Sequence, residues 1–256
     1  MGIIIKTKEE IEIIREGGKR LATVLQKVAK HVAPGVSTWE LDEYAEKLIR
    51  EGGDEPAFKG YKPSGQSAPY PASLCVSVNN EVVHGIPKKD KILKEGDIVS
   101  LDLGLKHKGL FTDHAITVPV GKISKKDEDL IKNTHDGMMA GIFEARGGGR
   151  VGDIGFAIQA VGDKYKYGIV RVLSGHGVGK QIHEDPFVPN FGKKGTKEKL
   201  IPGMIIAIEP MFNLGTHDVV VGSDGYTFRT ADGKKSVHFE HTVLITDGEP
   251  EILTLP

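Results

Sequence analysis

One pattern occurs twice in this 256-residue chain, and it restricts the fold more than any single motif. Leu93-Lys94-Glu95-Gly96-Asp97-Ile98-Val99-Ser100-Leu101-Asp102 matches Leu200-Ile201-Pro202-Gly203-Met204-Ile205-Ile206-Ala207-Ile208-Glu209 at an offset of 107 (209 minus 102). Thr112-Asp113-His114-Ala115-Ile116 then matches Phe239-Glu240-His241-Thr242-Val243 at 127 (240 minus 113), and Gly121 meets Gly248 in the same register. Each copy places one acid at the end of an apolar run and a second acid on the segment that returns. From Val99 to Leu105 apolar residues alternate with Ser100, Asp102 and Gly104, the period of two that defines a strand. Lys106-His107-Lys108-Gly109 reads as the turn before a second strand carrying Asp113, so Asp102 and Asp113 can meet on one face.

The remaining elements repeat as well. Thr7 with Glu10 is a capping box. It opens an amphipathic helix to His31 whose stripe is Ile11, Ile14, Leu21, Leu25 and Val28. Pro34-Gly35 breaks it, Ser37 or Thr38 caps a second helix through Leu41, Tyr44, Ala45, Leu48 and Ile49, and Gly52-Gly53 ends that one. Lys125 to Ala145, with Leu130, Ile131 and Met138 inward, and Val151 to Val161 repeat the pair. The expectation is an α/β (α+β) chain in which residues 1–256 form one domain of two related halves, roughly 7–121 and 125–248, with a site at their junction. Leu74 to Val83 and Val170 to Leu173 read as strands, and Tyr61 to Pro71 as a surface loop.

Composition excludes several classes. Net charge is −1, so no basic field attracts nucleic acid. A single cysteine rules out a disulfide framework and cysteine-based zinc modules. No apolar run approaches the roughly 20 residues that span a bilayer, no signal-peptide pattern stands at the start, and Lys6 occupies the position where a myristoylation motif needs Ser or Thr. The expected location is the cytoplasm, with no membrane contact.

Buried ionised carboxylates repel one another and lose hydration, so they require a partner. Asp102 alone reads equally well as a strand-end acid. Glu209, after the apolar run 204–208, does not. Four acids in matched settings point to a shared cation site. His176, inside Ser174-Gly175-His176-Gly177-Val178-Gly179, joins them. The spacing of that glycine string is not a dinucleotide fingerprint, and the glycines read as letting backbone crowd a ligand held by His176. Oxygen donors with one imidazole suit Mn, Fe or Co. Four acids carry too much charge for one ion, and two ions roughly 3.5–4 Å apart fit better, the arrangement that activates water for hydrolysis. His84, in His84-Gly85-Ile86-Pro87, and His183, in His183-Glu184-Asp185-Pro186, sit at equivalent turns and would hydrogen-bond a substrate and its developing oxyanion. His31, His107, His114, His135, His217, His238 and His241 read as structural. Cys75 reads as a small buried residue, and the lysines at 122, 125, 126, 193, 194, 197 and 199 as solvated faces.

The segments from Cys75 through Asn79 and His84 to Pro87, Gly175 to Gly179, Ile208 to Met211 and Phe239 to Thr242 resemble type I methionine aminopeptidases of peptidase family M24, and the resemblance runs from Ile5 to Leu255. It implies the pita-bread fold, an antiparallel sheet in two pseudo-twofold-related halves covered by helices. The roughly thirty residues between Glu209 and Glu240 leave no space for the helical insertion of type II enzymes. Transferred by position, the resemblance implies that Asp102 chelates one divalent ion, Asp113 and Glu240 bridge two, and His176 and Glu209 hold the other. Mn, Fe or Co is implied, with Zn also compatible. His84 would contact the scissile amide, His183 the carbonyl oxygen or tetrahedral intermediate, and Glu209 would shuttle the proton. Tyr61, Tyr70, Cys75, Ile182 and Tyr226 would line the methionine pocket. Ile182 stands where the family usually has Phe, and Tyr226 where bacterial members often have Trp. The Tyr61–Tyr70 segment is longer than usual.

The implied activity is removal of the initiator methionine from nascent chains with a small second residue, and the chain's own Met1-Gly2 start would be a substrate. The implied partners are nascent amino termini and the ribosome surface, with the protein itself a monomer. Asp102-Leu-Gly and Thr112-Asp113-His114 depart toward prolidase and aminopeptidase P, so a proline-specific exopeptidase is the first alternative and a non-catalytic binding protein of the same fold the second.

Overall fold

A computed structural model describes residues 2–256. Met1, which the Met-Gly start would release, lies outside them. Four helices and three antiparallel sheets make up the described chain. Helix α1 (Lys8–Lys30) starts at Thr7 with the capping box to Glu10, and α2 (Thr38–Glu51) repeats the device with Ser37 and Glu40. The chain leaves α1 at His31, ahead of Pro34-Gly35. Helix α3 (Lys125–Glu144) is capped by Ser124. Helix α4 (Val151–Tyr165) runs a turn past Val161 and closes on Lys166 in the left-handed conformation.

The largest sheet has nine strands. Its centre is the hairpin Ile98–His107 and Leu110–Pro119, followed outward by Glu240–Leu244, Ile205–Ile208, Ser174–Gly177 and Glu184–Pro189. The hairpin is tighter than its sequence suggests. Lys106 and His107 continue the strand, and only Lys108-Gly109 turns, both at positive φ as a two-residue hairpin turn demands. Helices α1 and α2 bury Leu21, Leu25, Leu41, Ala45 and Ile49 against Leu74, Val76, Val99, Leu101 and Leu103. On the other half, Leu130, Met138, Ile142, Ile154 and Ile158 of α3 and α4 pack on Ile206, Ile208 and Val243. The helical covers are thus the two apolar stripes legible in the sequence.

Two strand assignments need correction. Residues 74–83 form two strands in different sheets, Leu74–Val78 and Glu81–Val83, because Asn79 takes a left-handed conformation (φ 55°) that breaks the extended run. Asn79 is held there by its side chain, which donates to Asp97 and accepts from the Ile98 N–H. Residues 170–173 lie between the strands Gly168–Ile169 and Ser174–Gly177 and pair with neither sheet as a strand. The glycine string also has another reason. A Cβ at Gly175 would fall on the Ala207 carbonyl and one at Gly177 on the Asp185 carbonyl, so these glycines let neighbouring strands approach and do not face a ligand.

Gly177→Ala therefore forces backbone apart between two strands and is expected to cost about 2–3 kcal/mol in urea unfolding. A change under about 0.5 kcal/mol would contradict this account of the string.

Candidate metal centre

Strand register assembles the site. Cys75 pairs with Asp102, Asp102 with Ala115, and Ala115 with Glu240, so four residues form one row across adjacent strands. Directly paired residues share a face. Asp113 pairs with Gly104, two positions along from Asp102, and so points to the same side. Ala115 contributes only a methyl group between Asp102 and Glu240, which leaves space above the sheet. Ile208 pairs with His241, and the next step of that register sets Glu209 beside Glu240. His176 enters from the Ser174–Gly177 strand.

The side chains converge as this register requires. Asp102, Asp113 and Glu240 offer carboxylate oxygens within 4.8 Å of one another, and His176, Glu209 and Glu240 form a second such group. His176 Nε2 lies 3.6 Å from Glu209 Oε1 and 3.9 Å from Asp113 Oδ2. A third group brings His183 to Asp113 and His176. Asp102, Asp113, His176 and Glu240 are all buried. Asp102 Oδ1 and Glu240 Oε1 have no hydrogen-bond partner, although buried polar atoms are nearly always paired. His176 Nδ1 sits 2.9 Å from the Gly177 carbonyl; donating there leaves Nε2 as a lone pair aimed at the acids. Orphaned oxygens, clustered carboxylates and one oriented imidazole fit divalent cations.

Electrostatics agree. Burial pushes the Asp102 carboxyl up to about 7, with Glu209 adding to the rise and His238 opposing it. Burial raises Asp113 and Glu240 well above the carboxylate range, and the neighbouring acids add to it. The imidazoles move down, His176 to about 3 and His84 to about 4 through burial and then the charge of His183, and His183 to about 4 through burial. All three are neutral at pH 7.

His84 and His183 both reach the centre. His84 has φ 57°, rare for a non-glycine residue, and its ring meets Phe228 edge-on at 5.8 Å. His183 contacts the Tyr61 hydroxyl through Nδ1 at 3.0 Å, and its ring lies 4.4 Å from that of His176. A cavity of about 260 Å³ adjoins the acids, lined by Tyr61, Tyr70, Cys75 and Tyr226. The Tyr70 hydroxyl donates to the Gly85 carbonyl and the Tyr226 hydroxyl to the Ala68 carbonyl, which holds the two rings edge-on at 5.2 Å. Tyr70 is thus buried, although it belongs to the segment read as a surface loop. Ile182 is buried in the same apolar cluster as Tyr70, Cys75 and Tyr226 but does not line the cavity. Phe58 and Phe228 line it as well, and Phe228 is a position that sequence reasoning had not singled out.

His238 requires a correction too. Read as structural, it places Nε2 3.3 Å from Glu209 Oε2. No spacing signalled it, because His238 ends the strand Ser236–His238 of a second sheet and Glu240 opens the next strand in the large one. His114 and His241 stack on each other at 4.6 Å on the opposite side of the sheet, as the alternation predicts, and the exposed lysines are solvated as expected.

The loop before His183 is tied down from the amino-terminal segment. Glu184 Oε1 accepts from the Lys180 and Gln181 N–H groups, and Oε2 meets Lys6 Nζ at 2.5 Å, with both side chains 1% exposed. Lys6→Met leaves that carboxylate buried without its cation, an expected loss of about 3–5 kcal/mol in thermal or urea unfolding. The double variant Lys6→Met/Glu184→Gln should recover much of it; additive losses would contradict the pairing. The raised acids give a second expectation. The metal-free fold holds protons that a cation must displace, so Mn²⁺ affinity climbs as pH rises through 7 and binding releases protons. Calorimetry at pH 6 and 8, in buffers of different ionisation enthalpy, should find at least about a tenfold gain. Affinity independent of pH without proton release would contradict it.

Residues 12–247 match the model of metallopeptidase family M24. The methionine aminopeptidase of Aquifex aeolicus is 46% identical over 258 aligned residues, covering 99% of each chain. The structure of methionine aminopeptidase from Thermotoga maritima superposes with a TM-score of 0.96 at 42% identity, covering 100% of both chains. Prolidase from Pyrococcus furiosus superposes at 0.79 with 26% identity, and this chain spans only 66% of that one. The fold is therefore the pita-bread fold, and the chain belongs to metallopeptidase family M24, among its type I methionine aminopeptidases.

Proposed function

We propose that Asp102, Asp113, His176, Glu209 and Glu240 hold two divalent ions and that the chain uses them to remove the initiator methionine from nascent chains with a small second residue. The observation that carries this reading is the row Asp102–Ala115–Glu240 with Asp113 beside it, whose orphaned oxygens stand where, among the described residues, no Lys or Arg forms an ion pair with them. On this reading Asp102 would serve one ion, His176 and Glu209 the other, and Asp113 and Glu240 would be shared between the two. Two such ions supply Lewis acidity and a water acidified enough to attack a carbonyl. The donor set favours Mn, Fe or Co and tolerates Zn.

The protein's own groups then act on substrate. Methionine enters the cavity formed by Tyr61, Tyr70, Cys75 and Tyr226, where the Tyr70 and Tyr226 hydroxyls are engaged by backbone carbonyls, so that the two residues present ring surface to the thioether. If the Tyr61 hydroxyl donates to His183 Nδ1, the neutral ring carries its proton on Nε2 and offers it to the carbonyl oxygen. His84 contacts the scissile amide. Glu209 takes the proton of the attacking water and passes it to the leaving amine. Residues 1–256 act as one domain of two halves. The site of action is the cytoplasm, on amino termini emerging at the ribosome surface, with the protein monomeric. Among the described residues, no helix is long and apolar enough to cross a membrane.

Met-Gly-Met-Met and Ala-Pro peptides, offered with Mn, Fe, Co and Zn, test the reading. Free methionine is expected, and Asp113→Asn should lower kcat at least about a hundredfold with the circular dichroism spectrum retained. The departures at Asp102-Leu-Gly and Thr112-Asp113-His114 favour the alternative of proline specificity, and cleavage only before proline would establish it instead. Release of nothing from any peptide would favour a binding role.

A further inference from the structure

His176 and Glu209 stand where two cavities meet, and the methionine reading uses only one. The second cavity, about 280 Å³, shares His84, His176, His183 and Glu209 with the first. Its outer wall holds Asp185 and Phe187. Phe187 is 70% exposed. The strand Glu184–Pro189 alternates so that Pro186 and Val188 are buried and position 187 faces out. Any polar residue would satisfy that pattern, so packing gives no reason for an aromatic there. Val172, next to the lining residue Leu173, is also 72% exposed. An exposed aromatic side chain that lines a cavity marks a contact surface.

We infer that this second cavity receives the leaving part of the substrate and that Phe187 selects for an apolar side chain at the third residue. The inference rests on the peptidase reading above, which puts the cut bond at the junction of the cavities. With methionine in the first cavity, the chain beyond the scissile bond has to leave through the other. Phe187, Leu173 and Val83 offer that chain apolar surface. The cavity therefore ranks Met-Gly-Leu and Met-Gly-Phe chains above Met-Gly-Asp ones.

The test compares Met-Gly-Xaa-Gly peptides, with Xaa as Leu, Phe or Asp, on the manganese-loaded protein and its Phe187→Ser variant. The wild type is expected to show a KM about five- to tenfold lower for Leu and Phe than for Asp, with kcat changed much less. Phe187→Ser, a change at an exposed position, should raise KM for Leu and Phe and bring the ratio to Asp near about twofold, with the melting temperature retained. Equal KM values for Leu and Asp in the wild type, or a ratio unmoved by Phe187→Ser, would overturn the inference while leaving the peptidase reading in place. Failure to release methionine from Met-Gly-Met-Met would instead remove that reading, and the inference with it.

Discussion

Three carboxylates, those of Asp102, Asp113 and Glu240, are packed side by side on one face of a β-sheet, and hardly anything else in the molecule is as costly as that arrangement. Strand pairing enforces it: the register that buries Leu101, Leu103 and Ile208 on the helix-covered sides cannot be kept without bringing the acids together. Burial raises all three, Asp102 to about 7 and Asp113 and Glu240 well above the carboxylate range, so without a cation the fold favours their protonated forms. The sheet thus supplies the rigidity that keeps like charges close, and divalent ions supply the compensation.

The surroundings serve that compromise. Thr242 accepts from the Asp113 N–H and donates to the Asp113 carbonyl, locking the two acid-bearing strands in place. His114 contacts the Glu240 carbonyl through Nδ1 at 2.6 Å from the far face. His176 is oriented by its own neighbour's carbonyl, and the loop carrying His183 is closed by the Lys6–Glu184 pair. Glycines at 175 and 177 permit the close strand approach that brings His176 over the acids. Each of these contacts spends its energy on geometry, and hydrolytic sites depend on such positioning.

Much of this was legible in the sequence because it depends on periodicity. Alternation from Val99 to Leu105 gave the face of Asp102, the internal repeat gave Glu209 and Glu240, and the Thr7–Glu10 capping box and a cap at Ser37 or Thr38 gave the starts of α1 and α2. What stayed hidden depends on contacts that no spacing encodes. Asn79 breaks a β-rich run through its own side-chain hydrogen bonds, so 74–83 read as one strand. Phe228 reaches the cavity beside the acids from a segment far from Tyr61 and Tyr70 in the chain. His238 lacked a distinguishing context until the fold brought Glu209, from another strand, within 3.3 Å. Residues 61–71 read as a surface loop because they are rich in Pro, Ser and Gly, yet the backbone pairs 60 with 70 and 61 with 70 and carries Tyr70 inward.

The account stands on cations reconciling those acids, and a crystal grown with excess manganese tests it most directly. Anomalous scattering at the manganese edge should give two peaks roughly 3.5–4 Å apart, with Asp113 and Glu240 touching both. Absence of any peak among Asp102, Asp113, His176, Glu209 and Glu240 would contradict the account.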